Sequence, residues 1–203
     1  DYKQKIEQLE QQETHFVRWG AHDPNHPGIS IGSNNYQGGF MVTEHLIEQG
    51  RKRFAFVGQA GSEAPEFMAR FNGHMDALSK HHLSDQFMGQ FDAIFTEEAG
   101  HDAASMLFDE HIMPDAIVCA SDLIATGVLR AMRDKQLHCP NDIAVVGYDD
   151  IPVSAFTTPA LTTVKQNTKL AGELLVANLL KLINGEHVSD QLMSAELVVR
   201  KSS

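Results

Sequence analysis

Residues Asp115–Asp150 constrain the fold of this chain more than any other stretch. Asp115-Ala-Ile-Val-Cys119 is a short apolar run of the kind that a strand covered on both faces needs. An amphipathic helical segment follows over Leu123–Lys135, and a second apolar run, Ile143–Gly147, leads into the adjacent carboxylates of Asp149 and Asp150. Strand, helix, strand at this spacing is one βαβ unit, whose strands run parallel. In an open parallel sheet small molecules are held beyond the carboxyl ends of the strands, so Ser121, Asp122, Asp149 and Asp150 stand on a predicted ligand rim.

The rest of the chain extends the same alternation. Residues 2–13 read as a polar surface helix with Tyr2, Ile6 and Leu9 as a thin apolar stripe, leading into a strand at His15–Trp19. A Pro/Gly-bearing loop, His22–Gly28, precedes a strand at Ile29–Ser33. A helix from about Tyr36 then buries Phe40, Val42, Leu46 and Ile47 and is closed by Gly50. Next come a strand at Arg53–Gly58, a helix at Pro65–Lys80, a strand near Gln90–Phe95 and a helix at Glu97–Glu110. The end departs from the pattern, with a short apolar segment at Leu161–Val164, a long helix at Asn167–Asn184 closed by Gly185, and a last strand at Leu197–Arg200. Strict alternation implies a parallel sheet covered by helices, an α/β fold. A two-lobed protein of this class would open on a strand, so a first helix suggests a first lobe represented only in part.

Composition narrows the function classes. With 42% hydrophobic residues over 203 positions, the chain can bury a substantial core. A net charge of -11 opposes the phosphate backbone, so these residues are not expected to bind DNA by themselves. Two cysteines, Cys119 and Cys139, make no disulfide framework, and no apolar run reaches the ~20 residues of a membrane span. A reducing cytoplasm and no membrane contact are the expectation.

Several residues invite chemistry. Arg70, near the start of its helix and on the predicted rim, has the forked donors to clamp hydroxyl or carboxylate oxygens. The alternative is a surface arginine paired with Glu66 or Glu63. Phe95 ends a predicted strand at that rim, ahead of the N-cap Thr96 and the acids Glu97 and Glu98, and either stacks on a ligand face or plugs the core. Asp149 reads as a hydrogen-bond acceptor and Asp150 as the cap of a turn starting at Ile151-Pro152. Either Ser121 or Asp122 caps the helix they open, leaving the other oxygen for the crevice. Gly58-Gln-Ala-Gly61 lacks the spacing of a dinucleotide or phosphate loop, and the eleven histidines lack a metal-ligand pairing. No G-x-S-x-G elbow or placed Cys–His pair exists. Neither cofactor, metal nor catalysis is expected.

These residues also fall into motifs. Asn34-Asn35-Tyr36-Gln37-Gly38-Gly39, then Thr43–Gly50, Arg70-x-x-Gly73, Phe95–Gly100, Pro114–Leu123, Val145–Ile151, Pro159–Gln166 and Glu196–Ser202 together resemble the LacI/GalR family of bacterial transcription regulators. The resemblance covers nearly the whole chain. It implies a periplasmic-binding-protein-like type I core of two parallel-sheet, Rossmann-like lobes joined by crossover strands, with a small effector, usually a sugar or nucleobase, held between them. By it, the first and incomplete lobe comprises residues 1–33 plus 166–194 and the second 34–165 plus 195–203. The family's helix-turn-helix domain, through which operator DNA would be bound, is not among these residues.

Carried over position by position, the resemblance makes Arg70, Asp149 and Phe95 effector contacts. Ser121 stands where many members have an asparagine, and Ser33 where some have an aspartate, so both join the candidate set and the ligand is expected to differ from common ones. The family pairs as homodimers, which implies an interface near Leu123–Lys135, Glu97–Ala104 and Phe156–Thr158, unless Ile124, Val128 and Met132 face the sheet. The leading expectation is the effector-binding and dimerisation core of a regulator. A solute-binding protein of a transport system is the alternative on the same fold, and an enzyme the third.

Overall fold

The βαβ alternation places the sheet first and its helices around it in a computed structural model that describes residues 2–21, 28–61 and 64–203. The loop expected at His22–Gly28 and the side chain of Tyr2 lie almost wholly outside the described residues, as does Glu63. The helices are α1 (Tyr2–Gln11), α2 (Asn35–Glu48), α3 (Pro65–Lys80), α4 (Glu97–Asp109), α5 (Asp122–Asp134) and α6 (Thr168–Ile183). The strands are β1 (Val17–Trp19), β2 (Ile29–Ser33), β3 (Phe54–Val57), β4 (Phe87–Phe91), β5 (Ala116–Cys119), β6 (Ala144–Val146), β7 (Thr163–Lys165), β8 (Gln191–Met193) and β9 (Glu196–Val198). Among the described residues no helix is long and apolar enough to cross a membrane. The fold is α/β with parallel sheets, of the periplasmic-binding-protein-like class.

Backbone contacts divide the chain into two units. Unit 1 comprises Asp1–Asn34 and Asn167–Ser194, and unit 2 comprises Asn35–Gln166 and Ala195–Ser203. Unit 1 holds a parallel sheet in the order β1-β2-β8, against which α6 packs. Within it, Asp190 Oδ1 accepts from the Ser30 backbone N–H at 2.7 Å and from its hydroxyl at 3.0 Å, tying the segment ahead of β8 to β2.

Unit 2 is built on a parallel sheet in the order β4-β3-β5-β6. Every residue of β3, β5 and β6 is buried, as their uninterrupted apolar sequences require. Right-handed crossovers send α3 to one face and α4 and α5 to the other, and the helices pack as the pairs α2 with α3 and α4 with α5. Both pairs meet at glycines. A Cβ on Gly39 would lie 2.0 Å from the Arg70 carbonyl oxygen, and one on Gly127 would lie 2.0 Å from that of Glu97. β3 and β5 are neighbours whose outgoing helices leave on opposite faces, which makes the gap beyond their carboxyl ends the switch point where a crevice opens. The last residues fold back on β6, where β7 and β9 pair antiparallel and Val145 N–H donates to the Ser202 carbonyl at 2.8 Å.

The structure corrects several expectations. The strand expected near Gln90–Phe95 is Phe87–Phe91, so Phe95 sits in the loop beyond it; an edge strand with half-buried residues gives little periodic signal. β8 is too short, at three residues, for its pattern to show. On α2 the buried side carries Gly38, Gly39, Val42, Thr43 and Leu46, while Phe40 and Ile47 are only half-buried, because glycine contacts with α3 set the helix rotation. Ile124, Val128 and Met132 are buried in the core, so they are not interface residues.

Candidate functional site

The switch point of unit 2 is occupied by a buried guanidinium. Arg70 lies in the second turn of α3 and its side chain is 6% exposed. The helix places it there because Gly39 and Gly73 let α2 and α3 approach to backbone contact. Its Nε–H donates to Asn35 Oδ1 at 2.9 Å, and one terminal nitrogen donates to the Ala120 carbonyl, just past β5, at 2.5 Å. The other lies 3.4 Å from Asp149 Oδ1. The Tyr148 ring stacks on the guanidinium at 3.7 Å, with Phe67 at 5.3 Å. The ion-pair partner is therefore Asp149, across the sheet end, rather than an acid of its own helix.

Asp149 is held in an unusual backbone conformation, φ 111°, and Asp150 follows at φ 52°. Non-glycine residues in this region store strain and persist where neighbours over-determine them. Here Asp149 N–H donates to the Val164 carbonyl at 2.8 Å, and Arg200 donates to Asp150 Oδ1 at 2.6 Å. Gln166 Nε2 donates to Asp149 Oδ1 at 2.6 Å, the same oxygen that faces Arg70. Asp149 Oδ2 has no hydrogen-bond partner among the described residues, and the side chain is 30% exposed. Burial pushes the Asp149 carboxyl above its ordinary range, against the pull of Arg70 and Gln166. Burial likewise lowers the Arg70 guanidinium, against Asp149. Desolvation outweighs attraction on both sides, as in other buried pairs that are not primarily stabilising.

An aromatic wall adjoins this pair. Phe67 is 3% exposed, and its ring lies 4.8 Å from that of Phe95, which is 62% exposed. Phe95 thus neither plugs the core nor ends a strand; it shows a free apolar face. Thr96 caps α4, accepting from Ala99 N–H at 3.1 Å.

The other candidates separate. Ser121 is buried and caps α5, accepting from Ile124 N–H at 3.4 Å. Asp122 is fully buried and accepts from Thr163, Ser154 and the Ile151 N–H. Asp150 does not cap the turn at Pro152; that turn is anchored on Asp122, and Asp150 instead binds Arg200. Ser33 is buried at the end of β2 in unit 1, in register with Met193. Arg70 meets Asp149 directly and Phe95 through Phe67, whereas Ser121 follows Ala120, whose carbonyl accepts from Arg70.

Asn35, Tyr148 and Gln166 position the pair and escaped the reading of single residues, although each lies inside a motif quoted for the family. Among the described residues no group of three or more His, Cys, Asp or Glu could hold a metal. A groove of about 660 Å³ lined by Leu129, Arg133, Leu137, His138 and Pro159 shares none of the rim residues. It offers no buried charge, so the rim is the better candidate.

Five N–H groups on Arg70, less the three directed at Asn35, Ala120 and Asp149, leave two uncommitted beside an acceptor oxygen on Asp149. A group that accepts from one and donates to the other satisfies both, and a hydroxyl does so. Several hydroxyls on a ring with an apolar face would also use Phe95.

Residues 43–203 match the periplasmic-binding-protein-like domain family. The HTH-type transcriptional repressor PurR of Haemophilus influenzae (strain PittEE) is 30% identical over 190 residues, covering 91% of this chain and 55% of that protein. The chain thus spans about half the length of the curated relatives it matches. Among solved structures, the lac repressor dimer bound to operator and the anti-inducer ONPF superposes with a TM-score of 0.86 at 27% identity, over 99% of this chain and 78% of that one. The complex of the transcriptional regulator CelR with cellobiose gives a TM-score of 0.86 at 29% identity, over 96% of this chain and 61% of that one.

Proposed function

We infer a ligand-sensing role from the premise that this chain belongs to the periplasmic-binding-protein-like domain family. It is the effector-binding core of a LacI/GalR-type transcriptional regulator, and its effector is a small polyhydroxylated molecule of the sugar class. The observation that carries this reading is the buried Arg70, with two N–H groups uncommitted, beside the open Oδ2 of Asp149. Phe95 supplies the apolar face on which a sugar ring packs. Ser121 and Ser33 remain proposed contacts, each through a hydroxyl at a strand end.

The repressor relatives and the sugar-bound regulator among similar structures favour a regulator over a transport protein. The net charge of -11 opposes direct operator contact by these residues, so the role proposed for them is sensing the effector. A regulator of this kind works in the cytoplasm, where operator DNA is, and that is the compartment proposed for this protein. Phe156, 83% exposed, with Val153 and Leu123, supports pairing of two copies, as in the lac repressor dimer. No catalytic step is assigned.

A thermal-shift screen against pentoses, hexoses, disaccharides, sugar phosphates and nucleobases tests the reading, because a ligand specific to the folded state raises stability by RT ln(1 + [L]/Kd). The expected result is a selective shift with one sugar or a close set. A shift with nucleobases and none with any sugar would overturn the ligand class.

A further inference from the structure

The most heavily engaged acid in unit 2 is one the binding site does not use. Asp122 opens α5, is fully buried, and its backbone N–H donates to the Tyr148 carbonyl at 2.8 Å. Its Oδ2 accepts from Ile151 N–H at 3.0 Å and from the Ser154 hydroxyl at 2.6 Å. Its Oδ1 accepts from the Thr163 hydroxyl at 2.5 Å. That oxygen also lies against the end of β6, since a Cβ on Gly147 would come within 2.1 Å of it. Asp122 therefore holds the chain before the pair Asp149–Asp150 by its backbone N–H and after it by its carboxylate, which also grips β7 beside it.

We propose that Asp122 is the positioning residue for Asp149: its carboxylate sets the path of residues 147–154, and taking up a proton loosens that grip and shifts the rim acid. The consequence for effector binding rests on the ligand reading given above; the latch itself does not.

The chemistry follows from the donor count. An ionised Asp122 accepts three hydrogen bonds strengthened by its charge. A protonated Asp122 carries a hydrogen of its own, so one hydroxyl, of Ser154 or Thr163, must turn to accept, and the charge assistance is lost. Ile151 N–H cannot turn. Burial pushes the Asp122 carboxyl up to about 6, the three donors oppose this, and Asp149 adds to it. The other charged or titratable groups that act on this cluster are Arg70 and the buried Cys119 thiol. Both forms are then populated within the mildly acidic range.

The test needs no ligand. The full chain labelled with ¹³C-aspartate and ¹⁵N is followed by NMR from pH 4.5 to 8. The Asp122 carboxyl and the amides of Ile151 and Ser154 are expected to share one midpoint near 6, with the Asp149 carboxyl followed beside them. Asp122→Asn should remove that midpoint from the Ile151 and Ser154 amides and displace the Asp149 carboxyl signal. If that variant does not fold, Ser154→Ala and Thr163→Val each delete one donor and should move the shared midpoint upward. Asp149 has a raised titration of its own, so the Ile151 and Ser154 amides decide: a merely structural aspartate would leave them without the Asp122 midpoint, or leave that midpoint unchanged in the donor deletions, and either result overturns the proposal. A shared midpoint in a protein that binds no sugar would uphold the latch while the ligand reading fails.

Discussion

His74 should make the protein acid-labile in a window that one substitution removes. The residue is fully buried, four positions after Arg70 on α3, among the rings of Phe54, Phe56 and Phe87 at 5.6–5.9 Å. Thr43 donates its hydroxyl hydrogen to the Gly39 carbonyl at 2.8 Å, so it accepts from His74 Nδ1–H at 2.9 Å, which assigns the proton to Nδ1. Nε2 is buried with no hydrogen-bond partner among the described residues, and a second proton there would put an unpaired cation among aromatic rings. Burial accordingly pulls the imidazole down to about 3. The unfolded chain, with an ordinary histidine near 6.5, binds the proton first, so stability present above pH 6.5 is lost as pH falls toward 3. The loss amounts to about 2 kcal/mol at pH 5 and roughly 4 kcal/mol at pH 3. His74→Phe keeps a ring in the cage and deletes the titration. Urea unfolding of both proteins at pH 7.5, 6 and 5 should show the variant retaining about 2 kcal/mol more of its neutral-pH stability at pH 5 than the parent. Parallel pH profiles would refute the assignment of a neutral, buried His74.

Gly39→Ala places a methyl 2.0 Å from the Arg70 carbonyl oxygen, which only a shift of α3 can relieve; a loss of about 1–3 kcal/mol or more by thermal or urea unfolding is expected. Gly172→Ala, in exposed helix with nothing within 4 Å, should instead stabilise by roughly 0.5–1 kcal/mol. Arg200→Ala removes the contacts to Asp150 and to the Leu161 carbonyl. It should cost about 1–3 kcal/mol in urea unfolding and speed proteolysis of the last residues.

The βαβ frame was legible because its signals are local. Pro65 at the first turn and an apolar face every three to four residues delimit α3 at Pro65–Lys80. The uninterrupted run at Ala116–Cys119 marks a strand buried on both sides. The rim was legible too, since parallel strands put ligands at their carboxyl ends, and Asp149 and Arg70 do meet there. The burial of Arg70 was not, because it depends on Ala120, fifty residues away, and on two glycines that decide how near α2 comes. The division of labour between Ser121 and Asp122 was hidden for the same reason: Thr163 and Ser154 claim Asp122 from 41 and 32 residues on. Short or half-buried strands such as β8 and β4 carry too few residues in alternation to register.

The claim that the Arg70–Asp149 pair holds the effector is tested most directly by calorimetric titration of the sugar selected in the thermal screen into the parent protein and into Asp149→Asn. Asparagine tolerates a positive φ better than most residues, so the backbone at 111° is kept while the charge on Oδ2 is lost. The account predicts a drop in affinity of about tenfold or more, roughly 1.4 kcal/mol or above, with the fold retained. Equal affinity in the two proteins would contradict it.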